Sequence, residues 1–499
     1  MIATTYAVTH QGLSGIPITV ETDVLRGLPG IHIVGMGNKA IAEAARRVRS
    51  ALSHADIPLP ARKFTVNLAP AEIPKGGAQY DLSIAISLLV ATGQLKPAQV
   101  VGCLFIGELS LGGAIRPTKD VLFAPEAAQI AGGNTLFIPT ANLADVPTDT
   151  TMTVYTVATL REIFLHLKGI QPLKAADILP RNQPHLQPPL TFDDIAGHAY
   201  AKRALALAVA GHHHVLLIGP PGVGKTLLAE ATHSLLPPLS EAATHVLRKL
   251  HSLRGEEYPH ANLPPFRAPH HTTTSAQLIG SPTRGPGDIS LAYRGILFLD
   301  EFGEYRRQVL ESLRQPLEYR TITIKQRQQS FTIPTDCLVI AAMNPCPCGY
   351  FGSETGLCRC SDWQRRQYHQ KLSGPLLDRF DMILQIPQVI LKTDDTSLRE
   401  KHHVHLEKSV KSSRDSQIKR YNSSNTYNGT ISASVALGLP MDSDAAALMQ
   451  QATQRLGLTT RGHIKTLKLA QTIADFETSA IIQARHIAEA IQLRGDPIN

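Results

Sequence analysis

Residues 215–230 read VLLIGPPGVGKTLLAE. The apolar start predicts a buried strand, and the last residues favour a helix. Between them lies a P-loop, whose backbone N–H groups surround phosphate groups at a helix N-terminus. The Lys225 side chain would reach the β and γ phosphate oxygens, and the Thr226 hydroxyl would hold Mg²⁺. The stretch predicts an α/β core that binds a nucleoside triphosphate through Gly219, Gly222, Val223, Gly224, Lys225 and Thr226.

A second apolar run ends in two carboxylates, because residues 295–301 read GILFLDE. This pattern is typical of a Walker B strand. Asp300 would act on Mg²⁺ through its hydration shell, and Glu301 would polarise the attacking water. Alone, such a pair could end an exposed strand. Downstream of a P-loop, it predicts hydrolysis of ATP with Mg²⁺ as cofactor.

A third apolar run, residues 337–344, ends in Asn344. Its amide could sense the γ-phosphate or orient the attacking water, and it could also be a simple turn residue. The order of P-loop, acidic strand and Asn-ended strand resembles the AAA+ superfamily. That resemblance implies a catalytic sensor role for Asn344.

Two arginines gain candidate roles from the same resemblance. Residues 373–381, SGPLLDRFD, look like the arginine-finger segment of AAA+ proteins, in which Arg379 would reach the γ-phosphate bound by a neighbouring subunit. Residues 458–463, LTTRGH, are similar to the second sensor, with Arg461 contacting phosphate in cis. On residue type alone, Arg379 could equally form a surface ion pair.

Finer motifs resemble the magnesium-chelatase-like ATPases of the YifB/ComM type, over the whole chain: FDDIAG at 192–197, FRAPHHT at 266–272, GPGDISLA at 285–292 and MNPCPCG at 343–349. The resemblance implies an ATP-driven homohexameric DNA motor, a branch-migration helicase that promotes homologous recombination during natural transformation. Its expected partners are branched, single-stranded or double-stranded DNA and recombination proteins. The alternative is a magnesium-chelatase-like or regulatory AAA+ ATPase that remodels a protein partner.

Residues 320–333 alternate polar and apolar side chains, which predicts a β-hairpin ahead of the Asn-ended strand. The resemblance implies that this hairpin lines a central pore, with Lys325 and Arg327 contacting DNA phosphates. A solvated hairpin face is the other interpretation. Residues 399–420 carry an excess of basic side chains that could supplement DNA binding or only keep a linker soluble.

The N-terminal region resembles the Lon protease fold through PKGGAQYD at 74–81 and IGELSLGG at 106–113. Gln79 stands where that family places its nucleophile, and Leu122 aligns with its catalytic lysine. An amide cannot attack a peptide carbonyl, and leucine cannot take up a proton. We therefore expect a protease-like domain without protease activity.

Composition and motif order predict an α/β protein of several domains. The expected parts are a catalytically inactive Lon-protease-like α/β domain at 1–168, a linker at 169–190, a magnesium-chelatase-like AAA+ P-loop core at 191–408, a polar linker at 409–430, and a C-terminal helical lid at 431–499. The two linkers are predicted from their proline-rich and polar composition.

Four of the six cysteines crowd into fifteen positions: Cys346, Cys348, Cys358 and Cys360. The spacing of two Cys-X-Cys pairs could close a tetrahedral structural Zn²⁺ site. Four reduced thiols that pack a loop are the alternative. The role of such a metal site would be structural rather than catalytic, because a closed site leaves no position for water.

Charge and hydropathy limit the classes of protein. Lys and Arg number 49 against 41 Asp and Glu, a formal charge of +8 that permits a polyanionic partner without requiring one. The first residues lack the basic region of a signal peptide, and the longest apolar stretch, 82–91, is too short to span a bilayer. We expect a soluble cytoplasmic protein with no membrane partner.

Overall fold

The computed structural model describes residues 2–35, 39–73, 75–178, 190–258, 262–326, 329–352, 358–388 and 402–495. The chain divides into two compact units. Unit 1 comprises residues 1–183 and 240–261, and unit 2 comprises residues 184–239 and 262–499. Among the described residues, no helix combines the length and apolar character needed to cross a bilayer.

The strands, numbered along the chain, are β1 (Ala3–Gln11), β2 (Ser14–Leu25), β3 (Gly30–Val34), β4 (Lys63–Ala69), β5 (Cys103–Phe105), β6 (Glu108–Leu109), β7 (Ile115–Arg116), β8 (Thr135–Pro139), β9 (Thr153–Val157), β10 (Val215–Ile218), β11 (Phe266–Arg267), β12 (Gly280–Ser281), β13 (Gly285–Pro286), β14 (Ile296–Leu299), β15 (Thr321–Gln326), β16 (Gln329–Pro334), β17 (Leu338–Met343) and β18 (Met382–Gln385).

The α-helices are α1 (Lys39–His54), α2 (Asp81–Ala91), α3 (Ala124–Ile130), α4 (Leu160–Leu167), α5 (Ala199–Gly211), α6 (Lys225–His233), α7 (Glu241–Arg254), α8 (Ser275–Leu278), α9 (Asp288–Leu291), α10 (Arg307–Ser312), α11 (Arg314–Tyr319), α12 (Asp362–Gln370), α13 (Gly374–Leu377), α14 (His403–Tyr421), α15 (Ala433–Leu437), α16 (Ser443–Arg455), α17 (Thr460–Phe476) and α18 (Ala484–Leu493).

Unit 1 is built on a seven-stranded mixed sheet of order β3-β4-β2-β1-β5-β8-β9. The β2 strand pairs antiparallel with β1 and β4, whereas β5, β8 and β9 continue the sheet in parallel. The α2 helix contacts β1 and β2 and is buried from Asp81 to Val90. Its apolar sequence therefore forms the centre of this core, as expected for a helix without a solvent face.

The α7 helix belongs to unit 1, although the sequence places it inside the predicted AAA+ core. The buried Lys249 side chain of α7 donates to the Leu13 carbonyl at 3.0 Å and to Glu126 Oε1 at 2.8 Å. The residues that flank this segment are joined by a hydrogen bond, in which the Leu239 N–H donates to the Asn262 carbonyl at 2.7 Å. An internal segment of the chain thus completes the N-terminal unit.

Unit 2 contains a five-stranded parallel sheet of order β11-β14-β17-β10-β18. Every residue of β10, β14 and β17 is buried, which explains why these strands read as continuous apolar runs. Their carboxyl ends lie at one edge of the sheet, where the P-loop, the acidic pair and Asn344 follow. The helices α14 to α18 provide the helical C-terminal region, and the predicted α/β class is confirmed.

The predicted hairpin is confirmed as β15 and β16, which pair antiparallel from Thr321 opposite Pro334 to Gln326 opposite Gln329. Ile322 and Ile324 are buried, and Lys325 is exposed. Arg327, the second predicted DNA contact, lies outside the described residues.

The polar segment 409–430 is not a linker over most of its length, because α14 extends to Tyr421. Several of its polar side chains are buried with partners: the Gln417 amide donates to the Ala210 carbonyl at 3.0 Å, and the Arg414 guanidinium lies 3.5 Å from the centre of the Tyr427 ring. Composition predicted a solvated chain, and the α14 helix with these buried contacts overturns that prediction.

The other predicted linker, 169–190, begins as part of unit 1. The Ala176 N–H donates to the Val154 carbonyl of β9 at 2.8 Å, and the Leu173 N–H donates to His166 Nδ1 at 2.8 Å. Residues 179–189 lie outside the described part of the chain. The first ten residues of the expected tether are therefore anchored to the N-terminal domain.

Candidate functional site

The P-loop joins the central strand β10 to α6. Gly222 and Gly224 have φ values of +80° and +87°, a backbone region that residues with a Cβ rarely adopt. A Cβ added at either position would meet no described atom within 4 Å. The glycines are therefore required by the backbone, and the loop borders open space that phosphate groups can enter. Val223 between them is buried in the core and anchors the loop.

Lys225 is buried at the start of α6. Its Nζ donates to the carbonyls of Gly219 at 2.6 Å and Pro220 at 2.9 Å, and to Asn344 Oδ1 at 3.2 Å. Burial lowers the pKa of the Lys225 ammonium, and Asp300 opposes that effect. The structure thus brings the predicted phosphate-binding lysine and the predicted sensor amide into direct contact.

The acidic pair meets the P-loop from β14. The Thr226 hydroxyl donates to Asp300 Oδ2 at 3.1 Å, and the Glu301 N–H donates to Asp300 Oδ1 at 2.8 Å. A hydroxyl and a carboxylate oxygen are hard ligands of the type Mg²⁺ prefers. Glu301 has a positive φ of 50° and is exposed, so its carboxylate is accessible to water. These residues fit a nucleotide bound with Mg²⁺.

His271 is a residue of the site that sequence reasoning did not assign. Its Nδ1 lies 2.7 Å from Glu301 Oε2. His271 follows β11, the strand that pairs in parallel with β14, and the Tyr305 hydroxyl fixes this segment by donating to the Pro269 carbonyl at 2.6 Å. Because parallel strands end at the same edge, the position of His271 just after β11 is the signal that could have indicated it.

The two predicted arginines form ion pairs with the same carboxylate, that of Glu318. Arg461 Nη2 lies 2.6 Å from Glu318 Oε1, and Arg379 pairs with the other oxygen of Glu318. Arg461 also lies 3.5 Å from Asp378 Oδ2. The Arg379 side chain is 12% exposed and the Arg461 side chain 55%. These ion pairs connect the two arginines with each other through Glu318 of α11.

Comparison with protein families matches three segments of the chain. Residues 191–393 match the family described as magnesium chelatase, subunit ChlI. Residues 20–142 match subunit ChlI of Mg-chelatase, and residues 401–494 match the C-terminal part of the same subunit. The first match contains the P-loop, the acidic strand, the hairpin and Asn344.

Competence protein ComM of Haemophilus influenzae is 35% identical over 500 residues, which cover 99% of this chain and 97% of ComM. The protein YifB of Escherichia coli is 35% identical over 496 residues, which cover 97% of this chain and 95% of YifB. The chain belongs to the ComM/YifB-type, magnesium-chelatase-like family. The resemblance stated from the motifs is confirmed, and the family implies an AAA+ ATPase that uses ATP and Mg²⁺.

The resemblance of this ComM/YifB-type protein to Lon protease is also supported by a known relative. Lon protease 2 of Bacillus subtilis is 31% identical over 144 residues, which cover 27% of this chain and 26% of that protease. Gln79 is nearly buried, with its amide donating to the Gly76 carbonyl at 2.8 Å. Leu122 packs in the core, and the buried Ser83 hydroxyl lies 3.0 Å from that of Thr5. At the two positions aligned with protease chemistry, Gln79 forms a hydrogen bond with the backbone and Leu122 serves packing.

The four clustered cysteines converge after β17. The Sγ atoms of Cys346, Cys348, Cys358 and Cys360 all lie within 4.8 Å of one another, and this group could hold a metal ion. Backbone N–H groups, that of Tyr350 first, lower the pKa of the Cys348 thiol to about 6. All four cysteines are free of disulfides. The predicted cluster therefore forms in space, with thiols that are not cross-linked.

Proposed function

We propose that this ComM/YifB-type protein hydrolyses ATP as a homohexamer and drives branch migration of DNA in homologous recombination during natural transformation. One observation carries the ATPase part: Lys225, Thr226, Asp300, Glu301 and Asn344 converge at the carboxyl edge of the parallel sheet. The DNA part is supported by similarity over almost the full length to a protein named for competence. In this role the protein acts in the cytoplasm.

Each side chain of the site would perform one task. Lys225 binds the β and γ phosphate oxygens, and Asn344 senses the γ-phosphate or orients the attacking water. Glu301 polarises that water and accepts its proton. Thr226 and Asp300 would hold Mg²⁺, which neutralises negative charge on the phosphate oxygens when it is bound.

Arg379 and Arg461 extend the proposal to the assembly. Arg379 acts as the finger that enters the site of a neighbouring subunit, and Arg461 contacts phosphate in its own subunit. For Arg379 to act in trans, its guanidinium has to leave Glu318, so hydrolysis depends on contact between subunits. Glu318 holds both arginines until nucleotide and neighbour offer stronger anionic partners.

The DNA contact is assigned to the hairpin of β15 and β16. Lys325 is exposed near its tip and opposite Ser330, while the isoleucines on the other face are buried. This division leaves a polar edge free for phosphate contacts, to which we also assign Arg327. Basic contacts of this kind release counterions, so DNA affinity falls as salt rises.

The decisive experiment measures ATP turnover and exchange of a labelled strand together, with and without a synthetic four-way DNA junction. A Glu301→Gln variant is the control, because it keeps the shape and removes the base. DNA-stimulated turnover and ATP-dependent exchange, both lost in the variant, are the expected result. If no DNA changed the rate of ATP turnover and no strand were exchanged, the proposed DNA motor would be rejected. That result would favour an ATPase that remodels a protein partner.

A further inference from the structure

The spacing of the cysteine thiols matches a tetrahedral thiolate site. Cys346 Sγ lies 3.3 Å from Cys348 Sγ and 3.8 Å from Cys358 Sγ, and the latter two are 3.6 Å apart. Disulfide sulfurs are about 2.05 Å apart, so these distances exclude a bond. Four sulfurs around Zn²⁺ at about 2.3 Å would lie roughly 3.8 Å from one another. The thiols are therefore already close to the spacing that a zinc ion requires.

The chemistry of the ligands selects the metal. Thiolates are soft ligands that favour zinc over the hard ions Mg²⁺ and Ca²⁺. Four of them close the coordination sphere and leave no position for a reacting water, which is typical of a structural site.

The turn after β17, residues 345–349 and here called the cysteine turn, also contacts the proposed nucleotide site. Cys346 is completely buried two residues after Asn344, and its carbonyl accepts the Gly349 N–H at 3.0 Å. A Cβ added to Gly349 would lie 2.8 Å from Pro221 Cδ and 3.8 Å from Asn344 Cγ. The turn thus packs directly against the P-loop and against the amide that contacts Lys225.

A second element supports the turn from the other side. His369 of α12 lies with its Nε2 3.1 Å from the Pro345 carbonyl. Nearby, the Arg365 guanidinium lies 4.1 Å from the centre of the Phe351 ring. The cysteine turn is therefore held between α12 and the P-loop, beside Asn344 and Pro221.

We propose that Cys346, Cys348, Cys358 and Cys360 bind one Zn²⁺ ion, which holds the turn after β17 against the P-loop and positions Asn344 beside Lys225. The metal site stands on the cysteine geometry alone. Its positioning role rests on the proposed nucleotide site. Loss of zinc would loosen the turn, and the P-loop and the amide would lose a common support.

The metal is tested first, on the full-length protein purified without added chelator. Elemental analysis should find about one zinc per chain, and X-ray absorption at the zinc edge should show four sulfur ligands at about 2.3 Å. The Cys348→Ser/Cys360→Ser double variant should lose the zinc, and Cys103→Ser, which changes a buried thiol of unit 1, should keep it. Protein without zinc, or with iron or copper in its place, would overturn the site.

The positioning role is tested by equilibrium binding of a fluorescent ATP analogue, which needs no turnover. The double variant, with circular dichroism equal to that of the wild type, should bind about tenfold more weakly than Cys103→Ser, because small misplacements of binding groups are costly. Equal affinity in the two variants would overturn the positioning role. Zinc-loaded wild-type protein that binds no nucleotide would instead reject the proposed function and leave the metal site standing.

Discussion

The loop before α2 and the P-loop before α6 both contain left-handed glycines, and they differ in what occupies the space beside them. In unit 1, the loop before α2 contains Gly77 with φ +94°, and a Cβ there would lie 2.2 Å from Gln79 Oε1. In unit 2, Gly222 and Gly224 of the P-loop border space that is free of described atoms. The first loop is filled by its own chain. A left-handed glycine beside open space is therefore compatible with a phosphate site, whereas one whose neighbouring space is filled by the chain is not.

The lysines beside the two loops differ in the same way. Burial lowers the pKa of both Lys75 and Lys225. Lys75 donates to the Pro70 carbonyl, whereas Lys225 also reaches Asn344 and lies near Asp300. A buried lysine bonded to its own loop is thus common to both units. What distinguishes the nucleotide site is the convergence of further polar groups from neighbouring strands.

The largest effect is expected from Lys225→Ala, which removes the phosphate-binding cation. Turnover of ATP should fall by at least about 100-fold, since groups that stabilise transition-state charge contribute this much. Lys75→Ala is the matched control and should leave turnover per folded molecule unchanged. Steady-state ATP hydrolysis checks both variants. If both lysines proved equally important for turnover, the contrast between the loops would be wrong.

A second prediction tests whether the site at the P-loop needs Arg379 from a neighbouring subunit. Arg379→Ala should also reduce turnover by about 100-fold or more, because an arginine in trans compensates transition-state charge. Mixing this variant with Lys225→Ala should partly restore hydrolysis, since the first retains an intact P-loop and the second an intact Arg379. Turnover of the mixture against each variant alone is the measurement. Absence of rescue would contradict a shared site.

Loss of the ion pair between Arg47 and Asp81 should lower the stability of the protein without changing its ATP turnover. Asp81 is fully buried, and its carboxylate accepts from Arg47 Nε at 2.7 Å. Arg47→Ala would leave an unpaired buried charge and should cost about 3 kcal/mol of unfolding free energy at pH 8. Urea denaturation measures this loss. In Arg161→Ala, whose partner Asp56 is exposed, the loss should stay below about 1 kcal/mol.

The same pair has a predictable pH dependence. Burial raises the pKa of the Asp81 carboxyl to about 6, while Arg47 opposes the rise. The folded pKa lies above the unfolded value of about 3.9, so the folded state binds more protons and its stability falls as pH rises through this window. Without Arg47 the carboxyl becomes harder to ionise. Arg47→Ala should therefore lose less stability at pH 5 than at pH 8, and equal losses would contradict the assignment.

The smallest expected effect is that of His271, which contacts Glu301 and to which we assign no contact with phosphate. His271→Ala should lower kcat by about tenfold with KM for ATP nearly unchanged, because one hydrogen bond to a charged group is lost. His270→Ala is the control, since the His270 ring bonds to Thr272 in its own turn at 2.9 Å. A rise in KM with constant kcat would show that His271 acts in binding instead.

The α/β class and the order of motifs followed from local sequence because strands that are buried on both faces read as apolar runs. The convergence of residues directly after such strands, like Asp300 and Asn344, was predictable since parallel strands end at a common edge. The hairpin of β15 and β16 was predictable from its alternation. Composition misled in the segment 409–430, because polar side chains such as Gln417 find buried partners that only the folded chain supplies.

The sequence by itself determined the P-loop, the acidic strand end, the Asn-ended strand and the family, since each depends on residue types at short, fixed spacing. Tertiary structure alone decided that His271 contacts Glu301, that Glu318 joins Arg379 to Arg461, and that α7 completes unit 1. These are contacts between segments distant along the chain. They depend on which surfaces the packed strands and helices bring together, and local periodicity carries no information about that choice.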